Sequence, residues 1–459
     1  MGKDSPTAIE TLASWAADVP DQHTDRAYSR ARSALSDTVA CNLFGFDHEA
    51  TRIVRKVVMA WGEGASTIIG IGRRVPAPWA ALVNGTATHA HDLDDHELAA
   101  ITHPSAVLLP ALLAVAEERN ASGREILDAY IVGLEIITRI GEGVNMPLYH
   151  RGWHATSTIG AVGAAAACAR LMRLDAAAVA AAIGIGTSMA AGCSSQVGTM
   201  TKPTHAGLAA KAGVVAASLA AAGMTSSLGV LDAKWSSFLS LYAGPEAKGF
   251  AEPLAKLGKI LAIEEYGVVT KIYPCCGFIH RPVDAILELR AIHDLTAKEV
   301  QGITVTVPCR NMDILLYPEP KTDAQARFSM HYCVAVALLT GQLTAADFLP
   351  SALSRPEVRA LIPLIELCGH PLTSASLDPS TQEPDVVTVH LKDGRTFSKS
   401  VDHARGTPAL PLSEAETTAK FEYCTARLSS TDRAAAWAAL QHFETLNEVG
   451  ELTRHLVIT

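Results

Sequence analysis

The sequence predicts a mainly α fold, a large all-helical domain interrupted by a smaller α+β insertion. From about Thr7 to Glu265 apolar residues recur at helical spacing. After about Tyr266 the period shortens to the two-residue alternation of strands, and from Ser413 to the end the helical period returns. The boundaries that follow are 1–267 and 403–459 for the two parts of the helical domain and 268–402 for the insertion. With 459 residues, 49% of them apolar, the chain has length for two or three domains and a large core. Only 5% are aromatic and alanine is abundant, which suits helices that approach closely through small side chains.

Ile9, Leu12, Ala13 and Ala16 mark the first helix, and Ala31, Leu35, Thr38 and Val39 the second. Pro110 to Ala121 reads as an apolar-faced helix. Ser122, followed three residues later by Glu125, opens the next one as a capping box. An Ala-rich helix runs over Ile159 to Leu174, Asp175 caps its successor, and a third over Ala206 to Ala222 stops at Gly223. The uncharged stretch between Asp175 and Lys202 is long enough to span a bilayer, but its Ala, Gly, Ser and Thr content makes it a core helix followed by a loop. In the insertion, Ile303, Val305 and Val307 alternate with threonines. Val387, Val389 and Leu391 alternate likewise, and Asp393-Gly394 turns them into a hairpin with Arg395–Ser398. Helical patterns over Pro282–His293 and Ala324–Gly341 lie between. Gly406, Pro408 and Pro411 break the chain before Ser413 and Glu416 cap the last helical part.

Thirty-eight basic against 47 acidic residues give a net charge of −9, which argues against a nucleic-acid or anionic-membrane binder. Met1 to Pro20 has charges and no apolar core, so no signal peptide is expected. Nine cysteines without a CxxC suit free thiols in a reducing cytoplasm better than a disulfide framework or zinc site. There is no P-loop, GxSxG or HExxH, and Gly184-x-Gly186 lacks the third glycine of a dinucleotide loop.

Four polar islands remain. The densest, Thr88 to Glu97 followed by His103-Pro104, has three readings. Its His89-x-His91 is like the opening of a binuclear metal signature, but Leu93 stands where the aspartate should be. The other two readings are a solvated acidic helix end and a metal-free acid/base site in which a carboxylate orients a histidine. Tyr149 to Thr158 opens the Ala-rich helix, where backbone N–H groups favour an anion and Arg151 and His154 add charge; Thr156 or Ser157 as a plain cap is the alternative. Lys202 stands alone after the uncharged stretch; it either snorkels to water or, desolvated, acts as a base or an electrostatic clamp. Lys271 to Arg281 sits at the seam of the two presumed domains, where clefts form.

These islands together resemble the MmgE/PrpD family. The matching stretches are Asn84-Gly85-Thr86-Ala87-Thr88-His89-Ala90-His91-Asp92-Leu93-Asp94-Asp95, Thr102-His103-Pro104-Ser105, Gly152 to Gly160, Thr201-Lys202-Pro203-Thr204-His205-Ala206-Gly207, Lys271-Ile272-Tyr273-Pro274-Cys275, Ala326 to Tyr332 and Pro411-Leu412-Ser413. They run in family order over nearly the whole chain. The resemblance implies a helical domain built from both chain ends, an α+β lid, a homodimer, and no metal or organic cofactor. It also implies a small di- or tricarboxylate substrate that loses or gains a proton beside a carboxylate: a cis-aconitate decarboxylase-like or 2-methylcitrate dehydratase-like lyase, or an epimerase of an iminodisuccinate-like acid. Carried over residue by residue, Asp92, His103, Lys202, Tyr317 and Tyr149 are the catalytic candidates, and His154, Lys271, Arg151 and His96 the substrate-binding ones. In that reading His103 and Lys202 handle the proton, Asp92 orients His103, Lys271, His154 and Arg151 grip carboxylates, and Tyr317 or Tyr149 donates from the opposite side. His96 departs from the lyase branches, where a threonine stands; Tyr149 with Gly152-Trp153-His154 leans toward the epimerase-like branch.

Overall fold

In the computed structural model, which describes residues 6–371 and 383–458, helices dominate. The first runs over Ala8–Asp18, capped by Thr7 and Glu10, with Ile9, Leu12, Ala13 and Ala16 buried as their spacing predicts. Asp25–Gly45, Ala77–His89, Pro104–Arg119, Gly123–Val144, Ala155–Leu171, Ala176–Thr187 and Thr201–Ala221 follow. Glu414–Cys424 and Ser430–Gln441 return from the C-terminal end, and Phe421, Cys424, Leu440 and Phe443 enter the same hydrophobic cluster as Ile9 and Leu12. The capping boxes at Ser122/Glu125 and Ser413/Glu416 both form, and Asp175 caps Ala176–Thr187.

Several boundaries differ from the sequence reading. The helix assigned to Pro110–Ala121 begins at Pro104, where a first-turn proline costs no hydrogen bond, and Pro110 lies inside it. His103 therefore occupies its N-cap position. The helix assigned to Ala206 starts at Thr201, so Lys202 sits in its first turn and not ahead of it. The stretch Ala324–Gly341 is two helices, Asp323–Ala326 and Met330–Thr340, separated where Ser329 caps the second.

A second hydrophobic cluster gathers residues 273–391 with Val197. Its sheet contains Val300–Pro308 (β3), Ile365–His370 (β4), Asp385–Leu391 (β5) and Thr396–Val401 (β6), in the order β4-β3-β5-β6; β1 (Ser66–Ile68) and β2 (Arg73–Val75) form a small separate hairpin. β3 pairs antiparallel with β5 and parallel with β4, and β5 with β6 antiparallel through the Asp393-Gly394 turn. Ile303, Val305, Val307, Val387, Val389 and Leu391 face one side, covered by His280–His293 and Met330–Thr340. β4 was not anticipated, because it is an edge strand without alternating burial. All nine cysteines are free, and no described helix is long and apolar enough to cross a membrane.

Candidate active site

Two helices cross without side chains between them and set the site. A Cβ on Gly85 would meet Gly207 Cα at 2.8 Å, and one on Gly207 would meet the Leu82 carbonyl at 2.2 Å. This contact is open only to glycine. It places the end of Ala77–His89 against the start of Thr201–Ala221, and the chain leaving His89 turns through Asp92 with φ 52°.

Asp92 is the hub. Its Oδ1 accepts from Lys202 Nζ at 2.9 Å and from Lys271 Nζ at 3.0 Å, and its carbonyl accepts from Lys271 at 2.9 Å. His103 Nε2 is 3.8 Å from the same Oδ1. Burial alone would raise the Asp92 carboxyl, but the two ammonium groups hold it well below the usual carboxylate range. Lys202 is 4% and Lys271 0% exposed, so neither snorkels.

Behind this hub, Asp94 sits between two imidazoles. His89 Nδ1 lies 2.8 Å from its Oδ2, and His103 Nδ1 lies 3.2 Å from that oxygen and 2.9 Å from the Asp95 carbonyl. A carbonyl only accepts, so His103 carries its proton on Nδ1 and the neutral ring leaves Nε2 bare. Burial, reinforced by Lys271, pushes His103 down to about 3, so the ring is neutral at ordinary pH. Thr156 Oγ1 accepts from the His103 backbone N–H at 3.1 Å. His154 pairs with His205, Nδ1 to Nδ1 at 3.0 Å. Burial holds both below the ordinary histidine value, His205 at about 4.

Asp92, His96, His103, Tyr149, His154 and Lys202 line one cavity, with Thr102 and Ile101 beside them. Its other wall comes from the sheet-containing part: Cys276, Gly277, Phe278, Ile314 and Phe328. Arg327 fastens the two parts, donating to the carbonyls of His91 at 2.8 Å and Pro274 at 2.7 Å. Lys420, from the C-terminal helix, donates to the carbonyls of Lys271 at 2.7 Å and Leu93 at 3.0 Å while pairing with Asp37. The distant ends of the chain thus converge on the segments that carry Asp92 and Lys271.

Of the nine candidates, six share this cavity and Lys271 stands behind it, its ammonium spent on Asp92 and not facing the space. In this structure Lys271 therefore meets Asp92 rather than the open space of the cavity. Tyr317 donates to the Val197 carbonyl at 2.8 Å and does not line the cavity. Arg151 is exposed and lies against Gly244, also outside it. The carboxylate nearest the His103 Nδ1 is Asp94 and not Asp92. Asp94, His205 and Arg327 stand within the matching stretches, but a linear motif does not reveal which imidazole meets which carboxylate.

His91 turns away to Arg327, ring nitrogen to guanidinium at 3.0 Å, and to Phe44, so His89-x-His91 does not converge on one point. A different set, His89, Asp92, Asp94 and His103, brings one ligand atom each within 4.8 Å. A cation there would share Asp92 with two ammonium groups, which fits a metal poorly.

Comparison with known proteins matches the chain to one family over most of its length. Residues 10–250 match the family model of the MmgE/PrpD N-terminal domain and 273–444 that of the MmgE/PrpD C-terminal domain. The cis-aconitate decarboxylase of Homo sapiens is 30% identical over 448 residues, covering 94% of this chain and 90% of that protein. Those of Mus musculus, at 29% over 453 residues (94% and 90%), and Aspergillus terreus, at 27% over 424 residues (86% and 84%), are similar as well.

Proposed function

We propose a function for a chain that belongs to the MmgE/PrpD family: a lyase that decarboxylates a small unsaturated tricarboxylate of the cis-aconitate type, with no metal or organic cofactor. The observation that carries it is the meeting of Lys202 and His103 on one carboxylate, Asp92, in the wall of one cavity. In such an acid the bond to one carboxylate breaks, CO₂ leaves, and the electron pair shifts through the adjacent double bond toward a second carboxylate. The far carbon then takes a proton. Charge builds on oxygens that are already anionic, so the site must supply fixed cations and donors. Lys202 supplies the ammonium, and His154, held by His205, supplies a ring nitrogen. A dehydratase of a 2-methylcitrate-like acid would use the same groups to remove a proton beside a carboxylate.

A second reading rests on Tyr149. Its hydroxyl is kept protonated by burial and it shares the cavity with Lys202, whereas Tyr317 does not. A lysine and a tyrosine lining one cavity suit an epimerase of an iminodisuccinate-like dicarboxylate. Proton NMR in heavy water decides between them. The lyase reading expects a new decarboxylated or dehydrated product from cis-aconitate or a citrate-type acid; the epimerase reading expects α-carbon exchange with inversion only. Tight binding with neither outcome would make the chain a polycarboxylate-binding protein. Prolonged chelation should leave activity unchanged, and loss restored by zinc would refute cofactor independence.

The α+β part, 268–402, acts in this reading as a lid over the cavity. The chain works as a cytoplasmic homodimer; Ile53 and Val57, exposed one turn apart on Glu49–Val58, support a second copy. Light scattering that gave a single-chain mass would remove the dimer.

A further inference from the structure

Two cavities meet on the Asp92–Lys202 pair. Besides the catalytic cavity there is a second, of about 130 Å³, which shares with it only Asp92, Lys202 and Phe328. The second continues past His89 and Arg327 to the exposed Thr199 and Met200. His89 is 1% exposed and faces this second space alone. Its Nδ1 is committed to Asp94, and among the described residues its Nε2 has no hydrogen-bond partner; nor has Arg327 Nε or Asp92 Oδ2. A buried polar atom without a partner costs about 1–3 kcal/mol, so such atoms generally contact ordered water. A water needs roughly 10–15 Å³ of such space and two or more polar partners, and the second cavity offers both.

The chemistry proposed above creates a need for this space, and the inference rests on that reading. Each decarboxylation consumes one proton: the C–C bond breaks, CO₂ departs, and the electron pair left behind forms a C–H bond with a proton from the enzyme. The donor must be reprotonated from solvent while acid fills the catalytic cavity. Lys202 lines both spaces, so it can give a proton on one side and recover one on the other.

We propose that the second cavity is a water path that returns protons from bulk solvent to Lys202, with His89 anchoring its innermost water. Because Asp94 accepts the Nδ1 proton of His89, the neutral ring presents Nε2 as an acceptor toward that water. The water hydrogen-bonded there donates to His89 and, through its neighbours, hands a proton to the Lys202 amine. The base equivalent passes outward to buffer at the mouth. His89 is a positioning residue in this scheme; it does not touch substrate.

One test does not depend on turnover. A crystal structure with a saturated tricarboxylate in the catalytic cavity should show ordered waters from His89 Nε2 to Thr199 and Met200. A dry or sealed second cavity overturns the proposal, whatever acid the enzyme uses. The kinetic test fills the path from a residue outside the catalytic machinery, with Ala324→Phe in its wall and Met200→Trp at its mouth as a surface alternative. Blocking should lower kcat by roughly tenfold or more with KM unchanged, raise the solvent isotope effect, and make the rate respond to buffer acid concentration. A folded, visibly plugged variant with wild-type kcat overturns the path. A wild-type enzyme silent on every acid removes the lyase and epimerase readings, while the crystallographic arm still judges the water path.

Discussion

Lys202 and His103 both approach one carboxylate oxygen of Asp92, and replacing each separately tests both assignments. Lys202→Ala and His103→Ala should each lower turnover by about 10²-fold or more, the scale of a lost acid/base group. Near wild-type rates in both would remove the assignment. Lys202→Ala leaves Asp92 with Lys271, so a buried charge is not stranded and the variant should fold. Asp94 gives a sharper test. As a carboxylate it accepts from His89, lies against the His103 Nδ1, and stays ionised although buried, because both rings pull it well below the usual range. Asp94→Asn keeps the shape but turns half of the acceptor into a donor, which faces a ring N–H. His103 should then lose its fixed Nδ1–H form, and kcat should fall by about tenfold or more with a smaller change in KM. An unchanged kcat would leave the Asp95 carbonyl as the sole orienting group.

The element scale decides whether these residues meet at all. Helix Ala77–His89 carries no charge in its first turn and helix Thr201–Ala221 is apolar on most sides, so no salt bridge aligns them; the Gly85–Gly207 contact does. Gly207→Ala should cost about 1–3 kcal/mol in denaturant unfolding, as overpacking does, and should weaken activity by shifting Lys202 from Asp92. Gly394→Ala, in the open turn of the β5–β6 hairpin at φ 89°, should cost stability without affecting activity. Equal effects of the two on activity would contradict the role given to the crossing. The same comparison explains what was legible in the sequence. Capping boxes and alternating strands are local signals, and Ser122, Ser413, β3 and β5 stand where they were placed. The family motifs gathered Asp92, His103, Tyr149, His154 and Lys202. Edge strand β4 carries no alternation, and the first turn of Thr201–Ala221 looks polar, so both escaped. Which of two nearby aspartates, Asp92 or Asp94, meets the His103 Nδ1 depends on a residue at positive φ, Asp92, and no linear spacing contains that.

At the scale of the whole molecule, the buried titratable groups around the site oppose one another. His103, at about 3, and His205, at about 4, are neutral in the folded chain, but unfolded they would titrate near ~6.5. Between those values the unfolded chain binds protons that the native one does not, so stability falls as pH drops below about 6.5. Asp95 has the opposite sign. Burial pushes its carboxyl up to about 8, only partly offset by the short hydrogen bond from Ser105, whereas unfolded it would titrate near ~3.9. Its contribution is complete below about 3.9 and is lost as pH rises through about 8, because the unfolded chain gives up the proton while the native chain must keep it. Across pH 5–7 this one group should tilt stability by up to about 1.4 kcal/mol per pH unit, downward with rising pH. Asp95→Asn removes the ionisation, keeps an acceptor for Ser105, and leaves the backbone carbonyl that holds His103. Urea unfolding of both proteins at several values from pH 5 to 8 should show the variant gaining relative stability steadily as pH increases. A difference between them that stays flat over that range would mean that Asp95 is ionised in the native chain, with compensating charge arriving from Lys420 through Asp37 or from a bound cation.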